Sequence, residues 1–280
     1  MISSRNHGGW RRAALVGGVV WSMALAREQS TPPVDPPPLA TGQTGAIQPA
    51  GVEAEPGNGP LTRARQALQE KKWAEAEQMF RQLLAATPGR WDLQQGLGDA
   101  LLNQGRFLEA VGVYEDGLAA VQPELARDGP AESVRELKSN VARLYTCLGN
   151  ANLKLRRTDA ALASYRKSVE LFPTPTACFN LAAVCYNLGK MDETIVYADQ
   201  AIAAGTKNAD VYFLKGSALF SNGTLDKSNR YLLPAGTVEC LRKYQELAPA
   251  GGHAADVKAM LEAAGEPVPN TSQGRDTRPR

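Results

Sequence analysis

The stretch Tyr145–Pro173, YTCLGNANLKLRRTDAALASYRKSVELFP, decides how the chain is read. Tyr145 and Leu148 are three apart and share one helix face, and Gly149 beside them lets a second helix come close. Ala161 and Tyr165, four apart, supply a matching stripe on that second helix, and Pro173 ends it. Two helices and a turn are therefore predicted. Such a unit leaves an apolar face uncovered, so neighbouring copies are expected.

Copies lie on both sides. Upstream, Ala64, Ala67 and Leu68 mark a first helix, Lys71-Lys72-Trp73 a turn, and Ala76, Phe80, Leu83 and Leu84 a second helix ending at Pro88. The next unit follows in register: Trp73 to Phe107, Ala76 to Ala110 and Phe80 to Tyr114 are each 34 residues apart. This unit adds Leu97-Gly98, a turn at Gly105, and Pro123 as its terminator. About 17 extra residues then intervene before the quoted unit, opening with Asp128-Gly129-Pro130. Val134, Leu137, Val141, Leu144 and Leu148 run at steps of three and four, which extends the third unit's first helix back towards Ala131. That seam packs on the preceding unit or joins a second copy of the chain.

Downstream the pattern loosens. A degenerate fourth unit begins near Pro175, with Leu181-Ala182, Gly189, Thr194 and Ala198. Asp210 opens a fifth, with Tyr212, Gly216 and Gly223. About nine residues are inserted before its second helix resumes at Thr237, with Pro249 as terminator, so Thr224–Gly236 is expected to be a long loop, functional or merely tolerated. Ala255, Val257, Met260 and Leu261 describe one capping helix.

The 34-residue period and the order aromatic, Leu-Gly, Ala, aromatic, Pro resemble the tetratricopeptide repeat (TPR). The resemblance covers about Leu61 to Gly265. It implies an all-α fold, a right-handed TPR superhelix or α-solenoid of about five helix-turn-helix repeats with a C-terminal capping helix. It also implies a protein-binding scaffold, because the first helix of each repeat lines a groove. Carried onto this chain, the groove positions are Asp92, Gln95, Asp99, Leu102 and Asn103 in the second unit and Arg143, Thr146, Asn150, Leu153 and Lys154 in the third. The fourth gives Thr176, Phe179, Ala183, Tyr186 and Asn187; the fifth gives Asp210, Phe213, Ser217, Phe220 and Ser221. The partner-binding candidates drawn from these are Asp99, Asn103, Arg143, Asn150, Lys154, Phe179, Tyr186, Asn187, Phe213 and Phe220. Members that grip chaperone tails clamp a C-terminal carboxylate with lysines, arginines and asparagines. Only Arg143, Asn150 and Lys154 echo that set, so recognition of that kind is not expected. Phe179 and Tyr186 recur 34 residues on as Phe213 and Phe220, an aromatic ladder for an apolar or amphipathic peptide, or else side chains packed against neighbouring helices.

The first 60 residues differ in kind. Arg5, Arg11 and Arg12, the apolar run Ala13–Ala26 and the small-x-small Ala24-Leu25-Ala26 form an export signal over residues 1–26, either cleaved or kept as an anchor. A periplasmic or secreted location follows, with membrane anchoring as the alternative and no membrane span after cleavage. Removing the signal takes 31 basic against 29 acidic residues to 28 against 29, a balance that gives no reason to expect nucleic acid as a partner. Residues 27–60 hold eight prolines and form a Pro-rich linker, and residues 266–280 form a polar disordered tail.

Chemistry is hard to place. His253 is the only histidine after the signal and is expected at the surface, and no Walker loop, G-x-S-x-G or H-E-x-x-H occurs. Asp92 and Asp99 are expected on an exposed, solvated face. Cys178 and Cys185 are seven apart on one helix, about 10.5 Å at 1.5 Å per residue, too far to bridge, and all four cysteines are expected as buried thiols. The loop residues Asp226, Lys227, Arg230 and Tyr231 form no recognised catalytic constellation. No enzyme, metal or cofactor is expected. The partner is a protein or peptide, and a homo-oligomer through the long helix is the competing structural role.

Overall fold

A computed structural model describes residues 59–227 and 231–266. The segment expected as an export signal, nearly all of the expected Pro-rich linker and the tail beyond residue 266 lie outside the described residues. The elements, in order, are helices α1 (Pro60–Gln69), α2 (Trp73–Ala86), α3 (Trp91–Asn103), α4 (Phe107–Leu125), α5 (Ala131–Lys154), α6 (Thr158–Leu171), α7 (Pro175–Asn187), α8 (Met191–Ala203) and α9 (Asp210–Ser221). Strands β1 (Thr224–Leu225) and β2 (Tyr231–Leu232) follow, then α10 (Thr237–Leu247) and α11 (Ala254–Ala263). The fold is an all-α solenoid of helix-turn-helix repeats. It divides after Val184, within α7, into two compact units, described separately below.

In the N-terminal unit each helix packs on the next from α1 to α6. One core runs through it, from Ala64 and Phe80 through Leu93, Leu101, Tyr114, Leu118 and Val121 to Val141, Leu144 and Leu148. The turn between the two helices of a repeat is the same device each time. Gly105 adopts φ 76°, and Lys71 and Arg156 hold the same left-handed conformation at φ 59° and 58°. The chain doubles back through paired bonds, Gly105 N–H to the Leu102 carbonyl (3.1 Å) and Arg106 N–H to the Leu101 carbonyl (3.0 Å). Arg156 and Arg157 repeat the pair onto Leu153 and Asn152 at 2.9 and 2.8 Å. These bonds satisfy carbonyls that a helix end leaves open.

The glycines before these turns set the helix spacing. A Cβ placed on Gly149 would stand 2.6 Å from the ring of Tyr165, and one on Gly98 would collide with the ring of Tyr114. Repeat joins repeat through a buried carboxylate as well. Glu77 on α2 accepts from Gln104 Nε2 (2.7 Å) and Arg106 Nη1 (2.6 Å) and pairs with Arg81 at 2.7 Å. Burial works to raise its pKa, but the bonds from Gln104 and Arg106 and the charges of Arg81 and Arg106 prevail and hold it below the usual value.

Two expectations about the insertion meet different ends. Helix α5 does begin at Ala131, and Leu137, Val141, Leu144 and Leu148 belong to the same core as Tyr114, Leu118 and Val121 of α4. Pro123, expected as a terminator, instead lies inside α4, which continues to Leu125. A proline there removes one helical hydrogen bond, a modest loss in a last turn. Leu125 packing on the core and Glu124 Oε2 accepting from Trp91 Nε1 (3.1 Å) offset it.

In the C-terminal unit α8 packs on α9, α9 on α10 and α10 on α11. The expected loop contains a minimal antiparallel hairpin, with Thr224 opposite Leu232 and Leu225 opposite Tyr231. Gly236, at φ 86°, then starts α10 at Thr237. Among the described residues no helix is long and apolar enough to cross a membrane. All four cysteines are buried, and none is in a disulfide.

Helix propensity alone favours alanine over glycine by about 0.5–1 kcal/mol. The ring of Tyr165 decides the opposite sign at Gly149. Gly149→Ala is expected to destabilise the protein by about 1–3 kcal/mol, the range for an overpacked core, and urea denaturation measures it.

Candidate functional site

The N-terminal unit gathers polar side chains on its first helices. On α3, Asp92, Gln95, Asp99 and Asn103 recur at steps of three and four, as do Arg143, Thr146, Asn150 and Lys154 on α5, so each set lies on one helix face. Helix α1 adds Arg65. Sequence reasoning left this residue out, although it lies 34 positions before Asp99.

The second helix of each repeat reaches through to this face. Because Gly98 has no side chain, Tyr114 passes over it and its hydroxyl donates to Asp99 Oδ1 at 2.7 Å. Tyr165 passes over Gly149 in the same way and donates to Asn150 Oδ1 at 2.6 Å. Asn180 Nδ2, from the next repeat, donates to the same oxygen at 3.1 Å. Asn150 is only 7 % exposed. Its oxygen is saturated from two sides, while its Nδ2 has no partner among the described residues and keeps contact with solvent. The result is an amide donor fixed in orientation before any ligand arrives.

Asp99 does not stand on a solvated face as expected. It is partly buried, and its Oδ1 is taken by the Tyr114 hydroxyl. Burial raises its pKa, against the opposing charge of Arg143 and the Tyr114 hydrogen bond. Burial also pushes Tyr114 and Cys147 well above their ordinary values, so both remain protonated. Asp92 is likewise engaged rather than free. Arg90 grips it with two bonds, Nε to Oδ1 at 2.8 Å and Nη2 to Oδ2 at 2.5 Å, and Arg65 approaches it at 3.6 Å. Arg143 is held differently, by a neutral group. With the Gln95 amide turned so that its oxygen faces the guanidinium, that oxygen accepts from Nε and Nη2 at 2.5 Å each.

The remaining candidates are scattered. Asn103 is exposed at the end of α3 and bonds the Asp99 carbonyl of its own helix at 2.8 Å. Lys154 is half-buried at the end of α5, and Phe179, on α7, is 4 % exposed. Tyr186, Asn187, Phe213 and Phe220 belong to the C-terminal unit, where Asn187 is exposed.

The aromatic ladder is not an open surface there. Phe213 is 4 % exposed, its ring stacked flat on His253 with centroids 3.8 Å apart and flanked by Tyr186 at 6.1 Å and Tyr244 at 6.0 Å. Phe220 is 3 % exposed beneath the hairpin's Tyr231, 5.1 Å away. His253 is a surface histidine, its side chain 40 % exposed, that also covers Phe213, and its backbone N–H donates to Tyr244 Oη at 2.9 Å. Tyr186 bonds Ser217 at 3.0 Å. Nothing in the sequence before Pro249 could announce this cover, because it arrives from the capping segment. No group of three His, Cys, Asp or Glu suited to a metal occurs among the described residues.

Two stretches, residues 67–127 and 148–209, match models of the tetratricopeptide repeat. No curated protein matches the sequence significantly. Among solved structures, the chain is similar to YrrB, described as a TPR protein with an unusual peptide-binding site. The identity is 19 % over 71 % of this chain and 90 % of that one, with a TM-score of 0.51. It is similar to pilF of Pseudomonas aeruginosa at 18 % identity, over 71 % and 80 % of the two chains, with a TM-score of 0.57. It is also similar to MamA of Desulfovibrio magneticus RS-1, from residue 41 to its end, at 15 % identity over 69 % and 95 %, with a TM-score of 0.51. At such identities the likeness is one of fold.

Two outcomes follow from the geometry. Asp99→Asn keeps an oxygen for Tyr114, as Asn150 does for Tyr165, and removes a charge that burial disfavours. A carboxyl with a raised native pKa loses stability as pH rises through that pKa. The variant is therefore expected to unfold at higher urea than the parent at pH 8, with the gap closing as pH falls towards 4. Phe213→Ala empties a packed site and is expected to cost about 3–5 kcal/mol of stability, again by urea denaturation, instead of acting on affinity alone.

Proposed function

The chain is a tetratricopeptide-repeat protein and hence a protein-interaction scaffold, and we propose that it is a non-catalytic one of the cell envelope, holding an extended partner segment against the first-helix face of its N-terminal unit. The observation that carries this reading is Asn150. A peptide backbone offers carbonyl oxygens at regular spacing, and a fixed amide donor binds one of them without first losing rotamer freedom. Asn103, Arg65 and Arg143 stand on the same set of first helices and supply further donors. The envelope location rests on the export signal read in residues 1–26.

The competing reading, an assembly subunit that oligomerises through the long helix, has less support. The apolar seam of α5 is already occupied by α4 of the same chain, with Val141 and Leu144 fully buried. The aromatics of the C-terminal unit do not favour it either, since the hairpin and the capping segment already cover them.

A photo-crosslinking residue placed at the exposed Asn103 of the full-length chain in its native cells tests the proposal. Crosslinks to a discrete partner are expected from that position and not from the exposed Gln78 on α2. They should weaken at least about fivefold when Asn150→Asp, which keeps both acceptor bonds, replaces the donor with an acceptor. Equal crosslinking from both positions, or indifference to Asn150→Asp at an unchanged melting temperature, would sink the reading.

A further inference from the structure

The electrostatics of the same face say more about the partner, on the premise that the peptide-binding reading holds. Arg90 has its own carboxylate in Asp92, gripped through two bonds, whereas Arg65 shares that carboxylate only at 3.6 Å. Arg143 is aligned by the neutral Gln95 amide and has no ion pair within 4.0 Å among the described residues. Asp99 lies close enough to feel Arg143, but its Oδ1 is taken by Tyr114.

Arg65 and Arg143, from α1 and α5, both reach onto α3, at Asp92 and at Gln95 three residues further on. The Arg65 pKa is lowered first by burial, against the attraction of Asp92, and then by the charges of Arg90 and Arg143. Two guanidinium groups brought onto neighbouring positions of α3, one half-buried and the other exposed and pre-aligned by an amide, form a receptor for an anion. An incoming carboxylate would relieve their repulsion and take bonds from the N–H groups that Gln95 and Asp92 leave free. Protein side chains at a pH near neutral offer that chemistry as aspartate or glutamate.

We propose that the bound partner segment is acidic, with an internal aspartate or glutamate side chain shared between Arg65 and Arg143. The register follows from helix geometry. Arg143 and Asn150 are seven residues apart on α5, two turns or about 10 Å, which an extended segment covers in about three residues. The acidic residue therefore sits about three positions from the carbonyl held by Asn150.

The test follows the side-chain Nε–Hε NMR signals of Arg65 and Arg143 in the full-length protein during titration with small blocked probes. N-acetyl-glutamate methylamide should shift both signals, at least about tenfold more readily than the neutral N-acetyl-glutamine methylamide, as expected where charge-assisted bonds replace neutral ones. Raised salt should weaken the response. Arg143→Ala, or Arg143→Gln should the alanine variant fold poorly, should abolish the discrimination at Arg65. Equal responses to the two probes, or discrimination surviving both substitutions, would overturn the proposal. So would a stronger response to N-acetyl-glutamine with a free α-carboxylate, which would make the ligand a chain end rather than a side chain. Crosslinking at Asn103 without glutamate selectivity would overturn this proposal and leave the interaction face standing; the absence of both would overturn the two together.

Discussion

The close approach of a tyrosine ring to a glycine in the facing helix is the contact on which the rest of the N-terminal unit depends. At Gly98 and Gly149 the missing Cβ leaves room for Tyr114 and Tyr165 to lie against the opposite backbone. That contact fixes the distance between the two helices of a repeat, and the ring's apolar area seals the core behind it. The same geometry carries a polar consequence, because a ring that crosses at glycine delivers its hydroxyl to the next residue along the first helix. Packing and site construction are therefore a single arrangement: Asp99 and Asn150 are oriented by the rings that hold the repeats shut.

The two copies of this arrangement differ by one group, and the difference decides whether a donor is left over. In the second repeat the acceptor is a carboxylate, whose burial works against its charge. In the third it is an amide, which satisfies the tyrosine equally well and has a donor left over. Providing a spare donor here needs no new scaffold, only the choice between an acid and its amide at one residue. The scaffold fixes the side chain in either case, since Asn180 adds a second bond to the same oxygen in the third repeat.

Much of this was legible in the chain. The 34-residue spacing from Trp73 to Tyr114, the glycines before the turns and the seam from Leu137 to Leu148 place the helices, because periodicity and close packing are local properties of sequence. Pro123 was misleading for a physical reason: a lost hydrogen bond is visible in sequence, whereas the contacts of Glu124 and Leu125 that offset it come from other helices. Phe213 and Phe220 sit at the positions that the repeat pattern assigns to the groove, yet whether such residues meet solvent depends on what covers them. Their covers, His253 and Tyr231, come from the capping segment and from an insertion that no repeat pattern describes. Arg65 illustrates the opposite case, where the signal was present in its 34-residue offset from Asp99 but its meaning came from the arginines around it.

The covered aromatics also account for why the polar face is confined to the first unit. A solenoid must end, and its last repeat exposes apolar surface unless something shields it. Here Met260 of α11 approaches Ser217 at 3.7 Å and His253 lies on Phe213, so the inner positions of the fifth repeat are used to close the array. Ser217 occupies the same place in its repeat as Asn150 does in the third. Its hydroxyl, bonded to Tyr186 and facing the Met260 sulfur, has no spare donor to hold out to a partner. An identical repeat position thus keeps a spare amide donor in the third repeat and becomes a closing contact in the fifth, where the chain folds back over it.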